Sequence, residues 1–354
     1  MDNFKKIASL SELEALKNLI HYENSGEHKP IDKREKILVD FTNPKGKIKS
    51  ISESSTDTGL VAFLCKGSLP ETEEQLSDYI KELKSTVESL KGNGTEYFEL
   101  LSCPDSANIP CRKFFEIYAH CAIALKQEFP DIKVGAGSFQ DCVSDYVHEF
   151  MNYLALDKRI PLDFFSWKKS VTKSEQLQNY IYAARTLLDK YEFSETDNII
   201  TAWQYNSKSS PDAKEAETRE AAFVAATLIS LQKTPVDIAL YGKENFGKNN
   251  KVALAFDAFC AISSLGIEVT SDSAADHVYV VGAKNDDKGV FMLANFNPYE
   301  KLHHELVFDL KGVFGKKCEI YLLDEEHDLE LVYSGEIPES YNMGAESVVL
   351  VKLV

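Results

Sequence analysis

Residues 133–167 read KVGAGSFQDCVSDYVHEFMNYLALDKRIPLDFFSW, and this stretch holds the pattern that decides the fold. Two short apolar runs, Lys133–Ala136 and Asp163–Trp167, have the length and composition of β-strands. Between them, Val143–Leu156 carries apolar residues at helical spacing. A strand, a helix and a second strand in this order are typical of a parallel sheet whose strands are connected by helices.

The same alternation extends in both directions from this unit. Further strands are predicted at Ile37–Phe41, Leu60–Cys65, Tyr97–Leu101, Asn198–Trp203 and Asp237–Tyr241. Further helices are predicted at Glu71–Leu90, Arg112–Phe129, Ser174–Tyr191 and Ala213–Leu231. Seven or eight such units predict an α/β fold of the (β/α)8 TIM-barrel type, whose usual length is about 250 residues. No Gly-rich phosphate loop follows a first strand, which disfavours an open doubly wound sheet.

The pattern changes after Gly266. Apolar and polar residues now alternate, with turn signals between the runs, at His277–Ala283, Val290–Phe296, His303–Leu310, Cys318–Leu323, Leu329–Tyr333 and Ser347–Leu353. This pattern predicts an antiparallel β-sandwich. We therefore expect a barrel domain over residues 1–265 and a sandwich domain over residues 266–354. The first residues, to about 55, hold one helix and one strand rather than two βα units, so the barrel is expected to be incomplete at its N-terminal units.

Composition and charge exclude several classes of protein. The hydrophobic content of 44% is that of a globular chain. A net charge of −17 without a basic stripe makes a poor nucleic-acid binder. There is no apolar run of about 18 residues and the N-terminus does not resemble a secretory signal. We expect neither a nucleic acid nor a membrane as partner.

The cysteines and histidines predict no cofactor and no metal. The seven cysteines form no CxxC pair, and without an export signal they indicate reduced thiols in the cytoplasm. The sequence contains no HExxH, Walker A or GxGxxG motif, and the eight histidines lack the spacing of metal ligands. The oligomeric state is not indicated by any feature of the sequence.

Five segments of the barrel region carry motifs in a defined order. These are Tyr97–Asp105 (YFELLSCPD), Lys133–Gly137 (KVGAG), Pro161–Ser166 (PLDFFS), Ile200–Gln204 (ITAWQ) and Lys251–Phe256 (KVALAF). The first four resemble FEIWNEPN, KVGGP, PLDFVS and ITEWN, which mark strands four to seven of clan A glycoside hydrolases, family 39 (β-xylosidases and relatives) in particular. The fifth resembles the stretch that follows strand eight, and Tyr321–Asp324 resembles part of the family's sandwich. The resemblance spans roughly residues 59–354 and implies a barrel followed by a sandwich.

The resemblance also shows where the catalytic residues would stand. Retaining glycosidases use two carboxyl groups about 5–5.5 Å apart, one as acid/base and one as nucleophile. The matching positions are Cys103 and Ala202. Alanine cannot attack an anomeric carbon, and a thiol is poorly suited to protonating a glycosidic oxygen. We therefore assign no catalytic residue and expect a pseudoenzyme with two degenerate positions.

Other positions of the same pocket also depart from the family. Ser102 stands where the family has the asparagine that contacts the sugar 2-hydroxyl, Lys168 and Ser170 replace a histidine and a tyrosine, and Tyr241 or Gly242 replaces a tryptophan. Several losses in one pocket indicate that the site has been dismantled as a unit.

The candidate substrate-binding residues are Ser102, Trp167, Lys168, Trp203 and Tyr241. The two tryptophans fall at the upper ends of predicted strands, where they would either stack on a sugar or pack under a loop. Lys168 and Lys169 would oppose an oxocarbenium-like transition state. They would suit an acidic sugar or a phosphate, unless they are merely solvated.

Three functions remain open from the sequence. The leading one is a catalytically inactive family-39-like protein that binds a carbohydrate or acts as a sensor. The second is an active, xylosidase-like enzyme with relocated carboxylates, for which Asp105 is the fallback candidate, although this residue would also suit the cap of the following helix. The third is a structural or interaction protein without a sugar ligand.

Overall fold

The structure is a computed structural model that describes residues 35–49, 61–64, 69–206, 213–242 and 250–354. The predicted N-terminal helix, Leu60 and Cys65 lie outside the described residues.

A parallel sheet of six strands forms the barrel part of the molecule. Strand β1 (Glu35–Lys47) belongs to a different sheet. The six parallel strands are β2 (Val61–Leu64), β3 (Tyr97–Leu100), β4 (Lys133–Phe139), β5 (Phe164–Val171), β6 (Asp197–Tyr205) and β7 (Ile238–Tyr241), adjacent in chain order. All five neighbouring pairs are parallel. The TIM-type α/β fold is confirmed, with six of the eight strands of a complete barrel among the residues that the structure describes.

Six helices alternate with or follow these strands. They are α1 (Glu73–Lys91), α2 (Cys111–Glu128), α3 (Asp145–Leu156), α4 (Ser174–Lys190), α5 (Ala213–Leu231) and α6 (Asn250–Ser263). Helix α1 begins with a capping box, in which the Thr72 hydroxyl accepts from the backbone of Gln75 and the Gln75 side chain accepts from the backbone of Thr72. Helix α5 is buried on nearly all sides over its last three turns, because it lies between the parallel sheet and the second sheet.

The second sheet has nine strands and curls on itself. After β1 it contains β8 (Ile267–Ser273), β9 (Val278–Lys284), β10 (Gly289–Asn295), β11 (His304–Lys311), β12 (Lys317–Leu323), β13 (Asp328–Glu336), β14 (Ser340–Met343) and β15 (Ser347–Leu353). The order is β13-β12-β15-β10-β9-β8-β1-β11-β14. Ile320 of β12 and Met343 of β14 lie towards opposite ends of this order but belong to one buried apolar cluster. The sheet therefore folds over into the predicted sandwich.

The strand predicted at Ile37–Phe41 exists, but it is not part of the barrel. Strand β1 pairs antiparallel with β8 and parallel with β11. Its burial alternates, with Ile37, Val39 and Phe41 buried, as expected for a strand with one face in a core rather than for a fully covered parallel strand. The predicted domain limits, 1–265 and 266–354, stay a prediction.

The two sheets are connected through helices and ion pairs. Helices α5 and α6 pack on the outer face of β9 and β10. The guanidinium of Arg219 in α5 forms an ion pair with the buried Glu346 and donates to the Pro298 carbonyl at 2.9 Å. No helix of the described segments is long and apolar enough to cross a membrane.

Candidate functional site

The carboxyl ends of β3, β5 and β6 bring four of the predicted residues to one end of the parallel sheet. Ser102 and Cys103 follow β3 directly, and Lys168 is the register partner of Ala202 across β5 and β6. The Cys103 amide donates to the Gly137 carbonyl at 2.6 Å, which ties the end of β3 to β4. All four predicted residues are partly exposed. We call this end of the sheet the mouth, defined by Ser102, Cys103, Lys168 and Ala202.

The backbone at the end of β3 takes a conformation that is rare for residues with side chains. Leu101 has a φ of 58° and Cys103 a φ of 56°. Left-handed φ values are costly for a bulky residue such as leucine, and such outliers concentrate at functional sites. The loop after β3 therefore has the kind of backbone that is found at functional sites.

A buried carboxyl group with three hydroxyl partners lies directly beneath the mouth. Glu99 is 0% exposed. Its Oε1 accepts from the Ser102 hydroxyl, and its Oε2 accepts from Ser138 at 2.8 Å and from Ser166 at 2.7 Å. The Ser138 hydroxyl also lies 2.6 Å from that of Thr201. Four neighbouring strands thus contribute to one hydrogen-bonded layer inside the barrel, which we call the hydroxyl layer.

Burial raises the pKa of Glu99 above its usual range, while the three hydroxyl bonds and the charge of Lys168 act in the opposite direction. The carboxyl group is enclosed on all sides and has no exposed oxygen with which to reach a sugar. Its arrangement is that of an interior support for the strand ends.

The sequence did not predict the hydroxyl layer. From the sequence, no role was assigned to Glu99, Ser138, Ser166 or Thr201. The available signal was a small hydroxyl residue in each of three neighbouring strands that are otherwise mostly apolar. This signal is weak in a single sequence because serine and threonine are common.

The predicted aromatic residues do not face the mouth. Trp167 and Trp203 are each 0% exposed, and Tyr241 is 1% exposed. The Trp167 indole nitrogen donates to the Asn198 side chain at 2.8 Å, and the Trp203 ring packs edge-on against Tyr241 at 4.7 Å. Because buried rings have no free face for a sugar, a binding role for these three residues stays a prediction that requires them to move.

Asp105 lies beside the mouth but does not cap a helix. Helix α2 begins after Pro110, without a side-chain cap. The Asp105 carboxylate accepts instead from the backbone of Ser106 at 3.0 Å and of Gln140 at 2.8 Å, so it joins the loops after β3 and β4. The expected cap is absent because five residues separate Asp105 from the first helical residue.

Within the described part of the chain, no group of three or more histidine, cysteine or acidic residues could hold a metal ion. The mouth itself offers one hydroxyl group, one thiol and one ammonium group. Such a set can hydrogen-bond and attract negative charge, but it holds no exposed pair of carboxylates for a double-displacement reaction.

Comparison with known proteins agrees with this geometry. The model of the family "Glycosyl hydrolases family 39" matches residues 97–350, which is well over half of the chain. Over 72 residues, or 20% of the chain, the sequence is also 33% identical to "Elongation factor 1-beta" of Pyrobaculum arsenaticum, covering 78% of that protein. Because it leaves four-fifths of the chain unmatched, this shorter similarity does not compete with the family match.

Solved structures of glycosidases share the fold. A glucosidase from Croceicoccus marinus has a TM-score of 0.70 at 15% identity, covering 91% of this chain and 99% of that chain. A monomeric β-xylosidase from Caulobacter crescentus CB15 has a TM-score of 0.65 at 12% identity, covering 90% and 99%. A GH39 β-xylosidase from Caulobacter crescentus has a TM-score of 0.60 at 16% identity, covering 86% and 78%. At these identities the likeness is one of fold.

Proposed function

The chain belongs to glycosyl hydrolases family 39, and we propose that it binds a carbohydrate at its mouth without hydrolysing it. The observation that carries this proposal is the pair Cys103 and Ala202, at strand ends where the family has its two catalytic glutamates. Neither side chain can supply the carboxylate that the double displacement needs.

The surroundings of the mouth support loss of the reaction rather than its relocation. Glu99, the carboxyl group directly beneath the mouth, is enclosed by the hydroxyl layer and cannot reach a substrate. Asp105 is held by two backbone amides. Lys168 would repel the positive charge that develops on the sugar ring in the transition state.

The surroundings also support binding. Ser170 and Gln204 lie at the ends of β5 and β6, where the Gln204 amide donates to the Ser170 hydroxyl at 2.7 Å. Hydroxyl and amide groups are polar groups of the kind that fix the orientation of a bound ligand, and they can hydrogen-bond to neutral sugar hydroxyls. Two of the structures that share the fold are named as a glucosidase and a β-xylosidase, and enzymes with a TIM barrel keep their active sites at the carboxyl ends of the strands.

A cytoplasmic location is part of the same proposal. The six cysteines of the described residues are free thiols, and burial raises the pKa of Cys111, Cys121 and Cys142 to about 12. Free thiols are usual in reducing compartments.

A thermal-shift screen tests binding. The full chain is heated with xylose, arabinose, glucose and their disaccharides at increasing concentration. A ligand that binds only the folded state raises the melting temperature, by an amount that grows with concentration. We expect at least one sugar to do so, and to lose its effect in Ser170→Val with Gln204→Leu, but not in the variant Thr86→Val of helix α1, whose threonine is half-buried. No shift with any sugar would leave the purely structural role as the better account.

A further inference from the structure

The second sheet ends on one side in a long and exposed strand. Strand β13 is the last in the order of the described strands and pairs with β12 on one side only. All of its residues except Leu329 and Gly335 are exposed. The strand at the other end of the sheet, β14, has four residues and is largely half-buried. An edge strand presents backbone N–H and C=O groups that a further strand can bind, so β13 is the open edge of this sheet.

The middle of β13 carries three consecutive exposed apolar side chains. Leu331, Val332 and Tyr333 are 51%, 40% and 38% exposed. Edge strands that must not associate commonly carry lysine or proline, and β13 contains neither. A contiguous exposed apolar run on an edge is typical of an interaction surface, whereas single exposed apolar residues need no explanation.

The pairing of β13 with β12 limits how long an added strand can be. The register shifts at Leu329 and at Val332, which have no partner on β12, as expected for β-bulges. Between Tyr333 and Glu336 the register is unbroken. An added strand would therefore be short and would extend from the apolar run towards Glu336.

The beginning of β13 is held in place by the barrel part of the molecule. The ammonium group of Lys251 in α6 donates to the Asp328 carboxylate and to the Asp324 carbonyl, each at 2.6 Å. The Lys214 ammonium lies 3.5 Å from the Glu326 carboxylate in the same hairpin. Because the edge is already ordered, less entropy is lost when a partner binds.

Charge distinguishes between the possible occupants of this edge. Strand β13 contains Asp328, Glu330 and Glu336 and no basic residue, and the whole chain has a net charge of −17. Pairing of two copies would bring the carboxylates of both strands together, and like charges on adjacent strands are destabilising. A segment with lysine or arginine would instead attract Glu330 and Glu336, while its apolar residues cover the run from Leu331 to Tyr333.

We propose that β13 binds an extended segment of another protein, in which basic residues alternate with apolar ones, as an added strand. Backbone hydrogen bonds along the edge would supply affinity, and the acidic and apolar side chains would supply specificity. This surface belongs to the sandwich and does not depend on the proposed binding of a sugar at the mouth.

The test uses a nine-residue peptide that alternates lysine with valine, with blocked ends and a fluorescent label. It is titrated with the full chain, and binding is measured by fluorescence anisotropy. We expect saturable binding, at least tenfold weaker binding of the same peptide with glutamate in place of lysine, and loss of binding when alternate backbone nitrogens are methylated. Hydrogen exchange of the β13 amides should slow when the peptide is bound.

Variants connect the binding to β13. Glu330→Lys with Glu336→Lys should lower the affinity about tenfold, because two attractive cross-strand pairs become repulsive. The control, Glu88→Lys with Glu195→Lys, makes the same change of net charge at exposed residues elsewhere and should bind as the wild type. Circular dichroism checks that both variants fold, and added salt should weaken binding to the wild type.

Three results would overturn the proposal. The first is absence of binding by the lysine–valine peptide. The second is equal binding by the wild type and by Glu330→Lys with Glu336→Lys, or by the methylated and unmethylated peptides. The third is a dimer of the full chain whose β13 amides are protected from exchange without peptide, which would make a second copy the occupant.

Discussion

The side chains of Cys103 and Ala202 limit what the mouth can do. In our proposal a thiol and a methyl group stand where the family motifs have two carboxyl groups, and the backbone of the loop is left-handed at Leu101 and Cys103. The sequence alone suggested this proposal, because both positions lie inside segments that resemble the family's motifs. The burial of Trp167 and Trp203 could not, because the direction of a side chain at a strand end depends on local register shifts, such as the one between Trp167 and Lys168.

The buried carboxyl group of Glu99 is expected to make the stability of the protein depend on pH. Burial raises its pKa, so the folded chain holds a proton that the unfolded chain releases. Its contribution to stability is fully present below the ordinary glutamate pKa and is lost as the pH rises through the folded value. Glu99→Gln cannot ionise, so its melting temperature should rise relative to the wild type as the pH increases above the ordinary glutamate pKa. The exposed Glu88→Gln is the matched control, and an equal trend in both variants would contradict this account.

At the scale of elements, the alternation of strands and helices was predictable, but the position of β1 was not. A short apolar run before a βα unit is compatible with either sheet. Strand β1 is placed in the second sheet by its pairing with β8 and β11, which lie more than 200 residues later in the chain. The hydroxyl layer could not be predicted for the same reason. Its members come from separate strands and meet only when the strands are in register.

The contact between β4 and β5 depends on a glycine. A Cβ atom on Gly135 would lie 2.1 Å from the Phe164 carbonyl oxygen, so the two strands would have to separate. We expect Gly135→Ala to lower the free energy of unfolding by about 1–3 kcal/mol, measured by urea denaturation. Gly344→Ala, whose added Cβ would have no atom within 4 Å, should stay within about 0.5 kcal/mol of the wild type. Equal losses of unfolding free energy in the two variants would show that the close approach of β4 and β5 at Gly135 does not matter for stability.

At the scale of the whole molecule, Arg219 connects the barrel to the sandwich. It binds Glu346, which is 4% exposed, and also the Tyr205 hydroxyl at 2.9 Å. Removing Arg219 leaves the buried Glu346 carboxylate with the Lys301 ammonium, 3.5 Å away, as its remaining ion-pair partner, and loss of one partner of a buried ion pair is strongly destabilising. Arg219→Met should therefore cost about 3 kcal/mol of unfolding free energy. The control is Arg112→Met, which breaks an exposed ion pair with Glu116 and should cost about 0.5 kcal/mol or less. If the two variants lose a similar amount of unfolding free energy, Arg219 does not stabilise the contact between barrel and sandwich.

The central claim is that this family scaffold binds a sugar without cleaving it, and a hydrolysis assay tests it most directly. The full chain at high concentration is incubated with aryl xylosides, arabinosides and glucosides, and release of the aryl alcohol is compared with buffer alone. We predict release at the rate of the buffer for every substrate, in the wild type and in Asp105→Asn alike. Turnover by the wild type that Asp105→Asn abolishes would contradict the account and establish an enzyme with a relocated carboxylate.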